Sequence, residues 1–146
     1  MNETTRGVLF VCVKNGGKSQ MASGLLEKIL AERGQLHAVR ISSAGTRAGS
    51  SVNALSAEVL AEVGVDIAAR APRQLTPEAM REAGHVVILG AEAEVPQTEG
   101  VTIERWETDE PSLRGIEGRR RMELIRDDIR SRAQELADRL SAPRAA

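Results

Sequence analysis

The chain has 146 residues, of which 41% are apolar and 28% charged, with a net charge of −1. That is the length of one domain with enough apolar material for a core, and it excludes collagen-like, disordered and membrane-spanning classes. One Phe, one Trp and no Tyr leave no stacking platform for single-stranded nucleic acid, and the near-neutral charge gives no electrostatic reason to expect nucleic acid or an anionic membrane.

Residues 6–11 (RGVLFV) form a short apolar run that reads as a buried strand. From Ser19 the period changes: Met21, Ala22, Leu25, Leu26, Ile29 and Leu30 recur at helical spacing until Gly34. Val39 and Ile41 mark a second strand ending at Ser42, followed by a turn-rich stretch, SAGTRAGSS. Leu55, Val59 and Val63 place a second helix stopped by Gly64, and VDIAARAPRQL is irregular. TPEAMREAG is a short helix with Thr76 as N-cap, Pro77 at its first position and Gly84 at its end.

HVVIL (85–89) is a third strand and VTIERW (101–106) a fourth, each followed by a loop. In the last helix Met122, Ile125, Ile129, Ala133, Leu136 and Leu140 recur at steps of three and four, and SAPRAA (141–146) reads as a frayed tail. Alternating strands and helices, with strands apolar on both faces, predict a single open α/β domain over 1–146: a four-stranded parallel sheet with helices on both faces. Sites in such sheets form at the carboxyl ends of strands, which points to the loops after Val11, Ser42, Leu89 and Trp106.

No run approaches the ~18 apolar residues of a spanning helix. The start, MNETTRGVLFVCV, has no basic region before its short apolar run, so no signal peptide is read and the cytoplasm is the expected location. Cys12 is the one cysteine, which rules out an intramolecular disulfide and a cysteine-based zinc site. His37 and His85 lack metal-ligand company and read as structural or surface residues, so no metal is expected.

The loop after the first strand runs Cys12-Val13-Lys14-Asn15-Gly16-Gly17-Lys18-Ser19. Glycines let successive N–H groups turn inward, and the helix that follows adds unpaired N–H donors and the positive end of its dipole. Together these make an oxyanion cradle, with Lys18 as a formal charge and a cysteine at its base in the setting that favours thiolate. Gly17-Lys18-Ser19 also looks like the end of a Walker A motif, but that motif needs Gly where Cys12 stands.

Cysteine, five residues, a cation and Ser after a first strand resembles the low-molecular-weight protein tyrosine phosphatase and arsenate reductase family. The run VLFVCVKNGGKSQMA (8–22) is especially similar to its single-cysteine actinobacterial arsenate reductases, the arsenate–mycothiol transferases. Ser43-Ala44-Gly45-Thr46 matches the family's SAGT motif, Asp109-Glu110-Pro111 lies where the family carries an Asp-Pro general acid, and the helix after Arg114-Gly115-Ile116 fits the same branch.

The resemblance implies a low-molecular-weight phosphatase-like fold and roles at matching positions. Cys12 is the nucleophile, and the amides of Val13, Lys14, Asn15, Gly16, Gly17 and Lys18 bind the oxyanion. Lys18 and Ser19 complete the catalytic loop, with Ser19 donating to the thiolate. Asn15 holds the loop's strained turn with Ser43, and Asp109 is the general acid. The substrates implied are arsenate and mycothiol, mycothiol being a cosubstrate and no cofactor being tightly bound. A glutaredoxin-like mycoredoxin reduces the adduct. With Cys12 alone the chain cannot pass a disulfide among its own cysteines, so the electrons come from an external thiol.

Two positions depart from the family's pattern. Phosphatases carry Arg where Lys18 stands, and Arg grips tetrahedral oxyanions with two parallel hydrogen bonds where Lys is a point charge. Glu110 is inserted between Asp109 and Pro111, and Ser112 and Leu113 follow where tyrosine phosphatases place aromatic rings, with only Trp106 nearby. The alternative functions are a phosphatase for phosphotyrosine or small phosphate esters, and a non-catalytic oxyanion-binding module. Arg47 falls at the rim of the cradle, where it can meet a carboxylate of the cosubstrate. Arg119-Arg120-Arg121, unfavourable at a helix start, reads as a solvated face or a patch for an acidic partner.

Overall fold

The computed structural model describes residues 6–141. Its elements in order are β1 (Arg6–Cys12), α1 (Lys18–Glu32), β2 (Val39–Gly45), α2 (Ala54–Ala61), α3 (Pro77–Ala83), β3 (His85–Leu89), β4 (Thr102–Trp106) and α4 (Gly118–Ser141), with short 3-10 turns at Leu36–Ala38 and Pro111–Arg114. The four strands form one parallel sheet in the order β2-β1-β3-β4. The expected architecture is therefore present; of the expected tail, residues 142–146 lie outside the described residues.

The period of two along β1 builds both layers. Val8 and Phe10 face one side, where α1, α2 and α4 bury Leu26, Leu60, Ile129 and Leu136 against them. Leu9 and Val11 face the other side with Val86 and Ile88, covered by Met80 of α3. Both ends of α3 that the turn chemistry predicts are made: the Thr76 hydroxyl accepts from the Ala79 amide, and Gly84 ends the helix at φ 76°. Trp106 is 5% exposed and tilts onto Phe10 with ring centroids 5.6 Å apart, so the one indole belongs to the core.

One strand differs from expectation. β2 does not stop at Ser42 but continues through Ser43, Ala44 and Gly45, pairing Phe10↔Ser43 and Cys12↔Gly45. Serines, alanine and glycine carry little strand propensity, and the ladder with β1 overrides it. The order β2-β1-β3-β4 reverses direction between β1 and β3, which puts the loop after β1 at the topological switch point.

Leu136 is fully buried where α4 packs on α1. Leu136→Ala is expected to lower stability by about 2–5 kcal/mol, read from the urea midpoint, because it leaves a cavity between the two longest helices.

Candidate active site

The loop between β1 and α1 is shaped from outside. Its carbonyls are taken up one after another: Cys12 O accepts from Thr46 N at 3.0 Å, Val13 O from Arg47 N at 2.8 Å, Lys14 O from Gly49 N at 2.9 Å and Gly16 O from Asn53 N at 2.7 Å. Asn15 O accepts from the Gln20 amide at 3.1 Å and Gly17 O from Met21 N at 2.9 Å. In a trans peptide the N–H points opposite to the preceding carbonyl, and no peptide in the described residues is cis. Six carbonyls turned outward therefore turn the amides of residues 13–18 inward. The Asn15 amide, aimed at Cys12 Sγ at 3.3 Å, is one of them.

The turn costs strain, and Asn15 carries it at φ 57° while fully buried. Its side chain is locked by three partners: Nδ2 donates to Ser19 Oγ at 2.7 Å, and Oδ1 accepts from Gln20 Nε2 at 3.1 Å and from the Arg73 amide at 2.9 Å. Ser43 is not among them, which corrects the expected pairing. It lies on the sheet's edge beside a small hollow lined by Gln20, Arg70 and Arg73. Gln20, 2% exposed, and the backbone of Arg73 do the bracing instead. Neither has a sequence signal beyond being polar.

Cys12 Sγ lies 3.0 Å from Ser19 Oγ. Asn15 Nδ2 donates to that oxygen, whose own proton stays available to the sulfur. No side chain caps the start of α1 at Gly17, so its first N–H groups stay open toward the loop. Such a loop can hold an anion against the sulfur.

A cleft of about 800 Å³ opens over this loop. Cys12, Lys14, Gly16, Gly17 and Lys18 form its floor; residues 47–51 with Asn53, Leu55 and Ser56 form one wall; Gly118, Arg121, Met122 and Ile125 of α4 form the other. Arg47 thus lines the cleft as expected. Arg121, read in the sequence as part of a solvated or partner-facing run, lines it too. The run is held internally: Arg119 pairs with Glu58 and Glu62, Arg120 with Glu123, and Arg121 with Glu110.

The two acidic residues of the loop before α4 part company, and not in the expected way. Asp109 turns to Arg114, at 2.8 and 3.1 Å, and that guanidinium holds its carboxyl below the usual range. Glu110 turns to the site instead: Oε1 lies 4.0 Å from Lys18 Nζ, and Arg121 grips the carboxylate at 2.8 and 3.1 Å. Arg121, with help from Ser112 and Lys18, pulls the Glu110 carboxyl down to about 2. The expected acid, Asp109, is thus the residue that faces away. Both carboxyls are ionised near neutrality, and neither is a proton donor in this arrangement.

The histidines stay outside this chemistry: His85 Nε2 sits 2.5 Å from Glu104 Oε2, and His37 is exposed in a 3-10 turn. Among the described residues no group of three His, Cys, Asp or Glu could hold a metal ion. No described helix is long and apolar enough to cross a membrane.

Fold and site define a class: small, doubly wound α/β proteins with a thiol where the first strand enters a helix-capping loop. The chain belongs to the low molecular weight phosphotyrosine protein phosphatase family, whose model matches residues 7–146. A Halobacterium salinarum protein named "Putative arsenate reductase" is 31% identical over 129 residues, 88% of this chain and 89% of that one. An arsenate reductase of Staphylococcus aureus is 30% identical over 112 residues, 75% of this chain and 81% of that one. Among solved structures, a Corynebacterium glutamicum thioredoxin-dependent arsenate reductase is 31% identical with a TM-score of 0.76, matching 96% of this chain. This chain spans 64% of that one. A tyrosine phosphatase of Erwinia amylovora shares the fold at 22% identity, with a TM-score of 0.76 over 94% of this chain and 95% of that one.

Two outcomes are expected from this geometry. A Cβ on Gly45 would meet Val13 O at 2.6 Å and Asn15 N at 2.9 Å, so Gly45→Ala should dislodge the loop. It should abolish protection of Cys12 from iodoacetamide by phosphate while circular dichroism stays native. The second concerns acid. A carboxyl depressed from 4.5 to about 2 stabilises the fold above pH 4.5 and loses that contribution as pH falls toward 2. Acid titration of Glu110→Gln should therefore show a shallower loss of stability across that window than the parent chain.

Proposed function

We propose that this chain is an arsenate reductase that works with an external low-molecular-weight thiol. The observation that carries the reading is Cys12 Sγ beside Ser19 Oγ and the Asn15 amide, on a loop of inward amides, in a chain with no second cysteine.

Arsenate rests on the amides of residues 13–18, with Lys18 adding charge. The Cys12 thiolate attacks arsenic: an S–As bond forms, one As–O bond breaks, and the oxygen leaves as water with protons from the arsenate and the incoming thiol. The sulfur of mycothiol then attacks arsenic and displaces Cys12, whose charge returns to the Ser19 hydroxyl and the Asn15 amide. Hydrogen arsenate and thiol have become a thiol–arsenate adduct and water, and arsenic is still in the +5 state. The two electrons enter afterwards, when a mycoredoxin thiolate attacks the sulfur of the adduct, forms a mixed disulfide and expels arsenite. Free thiols persist in a reducing compartment, so the reaction belongs in the cytoplasm.

Three features support this over the family's other chemistry. Relatives at about 30% identity are named arsenate reductases. The cleft, at about 800 Å³, has room for a second small molecule beside one tetrahedral oxyanion. Its walls carry no aromatic ring for phosphotyrosine, the single Trp being packed on Phe10. The C. glutamicum relative is thioredoxin-dependent. Thioredoxin reduces protein disulfides by exchange, and a chain with one cysteine cannot present an internal one. That favours mycothiol and mycoredoxin here.

Arsenite release should therefore require mycothiol with mycoredoxin, fail with thioredoxin and its reductase, and vanish in Cys12→Ser. Turnover with thioredoxin alone, or an active serine variant, would sink the reading. Lys18→Arg should raise hydrolysis of p-nitrophenyl phosphate by about tenfold, because the guanidinium restores a two-pronged grip on phosphate. No gain would place the limit on phosphate ester hydrolysis in the missing aromatic walls and not at Lys18.

A further inference from the structure

Two cations stand on the α4 side of the cleft, and one carboxylate holds both. Lys18 Nζ lies 4.0 Å from Glu110 Oε1, while Arg121 places Nε 2.8 Å from Oε2 and Nη2 3.1 Å from Oε1. The Ser112 hydroxyl donates to the same carboxylate at 2.7 Å, so three side chains fix it in place. Lys18 and Arg121 line the cleft, and Glu110 does not; it stands behind them. The third nitrogen of Arg121, Nη1, points to Met122 Sδ at 3.6 Å, on the cleft wall, with no carboxylate partner.

We propose that Glu110 is a positioning residue that sets how tightly the loop holds an oxyanion, by neutralising Lys18 and Arg121 from behind. The inference rests on the loop binding a tetrahedral oxyanion. Without Glu110 the pair presents two full charges to a dianion at the loop; with it, the trio carries one. Like charge across a few ångströms in a half-buried setting weakens anion binding several-fold. Weak ground-state binding has a chemical use. Phosphate and arsenate are both tetrahedral, and a loop that held either dianion tightly would stay occupied by phosphate. Affinity that does not grow in the transition state does not speed turnover. Glu110 also keeps Arg121 from folding over the loop, since two of its nitrogens are bound.

Protection of Cys12 from iodoacetamide by inorganic phosphate reads the affinity directly. Glu110→Gln should lower the half-protecting phosphate concentration by about fivefold or more, and the gain should grow from pH 6 to pH 8 as phosphate becomes a dianion. A merely structural role would produce a loss, with no such pH slope. Arg121→Gln should raise the half-protecting concentration by a similar factor, since Glu110 then bears on Lys18 alone. The double variant should return toward the parent chain. Equal or weaker protection in Glu110→Gln, or unchanged protection in Arg121→Gln, would overturn the inference. If phosphate fails to protect the parent chain at all, the loop does not bind oxyanions, and it is the functional proposal itself that falls.

Discussion

The site depends on a contact between two backbones. β2 stays paired to β1 through Cys12↔Gly45, and the segment that leaves it runs so close that a Cβ on Gly45 would meet Val13 O at 2.6 Å. That approach lets the amides of Thr46, Arg47, Gly49 and Asn53 take the carbonyls of the loop. A polar backbone left unpaired in a half-buried place is costly, so this satisfaction fixes which way each peptide plane faces. Inward amides are the consequence. The thiol, the helix start and the strained Asn15 are then held around a common point without any side chain having to span it.

Charge is arranged on top of that frame. Lys14 and Arg47 face the cleft from the β2 side, and Lys18 and Arg121 from the α4 side. The second pair shares Glu110, and no carboxylate is paired with the first among the described residues. The cleft is therefore asymmetric. Its β2 side offers free cations and the exposed hydroxyl side chains of Ser50 and Ser51. Its α4 side mixes neutralised charge with Met122 and Ile125.

Much of this was legible in the sequence because it follows from periodicity and turn chemistry. The alternation on β1, the three-and-four spacing on α4 and the Thr76-Pro77 start of α3 each say what a segment must do wherever it is placed. The Cys12 loop was legible because its glycines and its place before a helix are local facts. What escaped were partners set by the tertiary fold. Gln20 and the Arg73 amide hold Asn15 from different parts of the chain, where Ser43 was expected. Asp109 and Glu110 are neighbours, and which one faces the loop is decided by Arg114 and Arg121 competing for them. Arg121 is one of three consecutive arginines, and only the packing of α4 as a cleft wall sets it apart from Arg119 and Arg120.

An open cleft suits the proposed reaction. In that reaction the second sulfur arrives from solvent and reaches arsenic from the side opposite Cys12, since displacement at arsenic asks for attacking and leaving sulfurs roughly in line. The loop and the start of α1 line the cleft beside Cys12, which leaves the mouth of the cleft as the free approach. Bulky aromatic walls, which would grip a phosphotyrosine ring, would stand across it. Their absence, with Trp106 turned into the core against Phe10, serves a two-thiol reaction for the same steric reason that it disfavours a phosphotyrosine substrate.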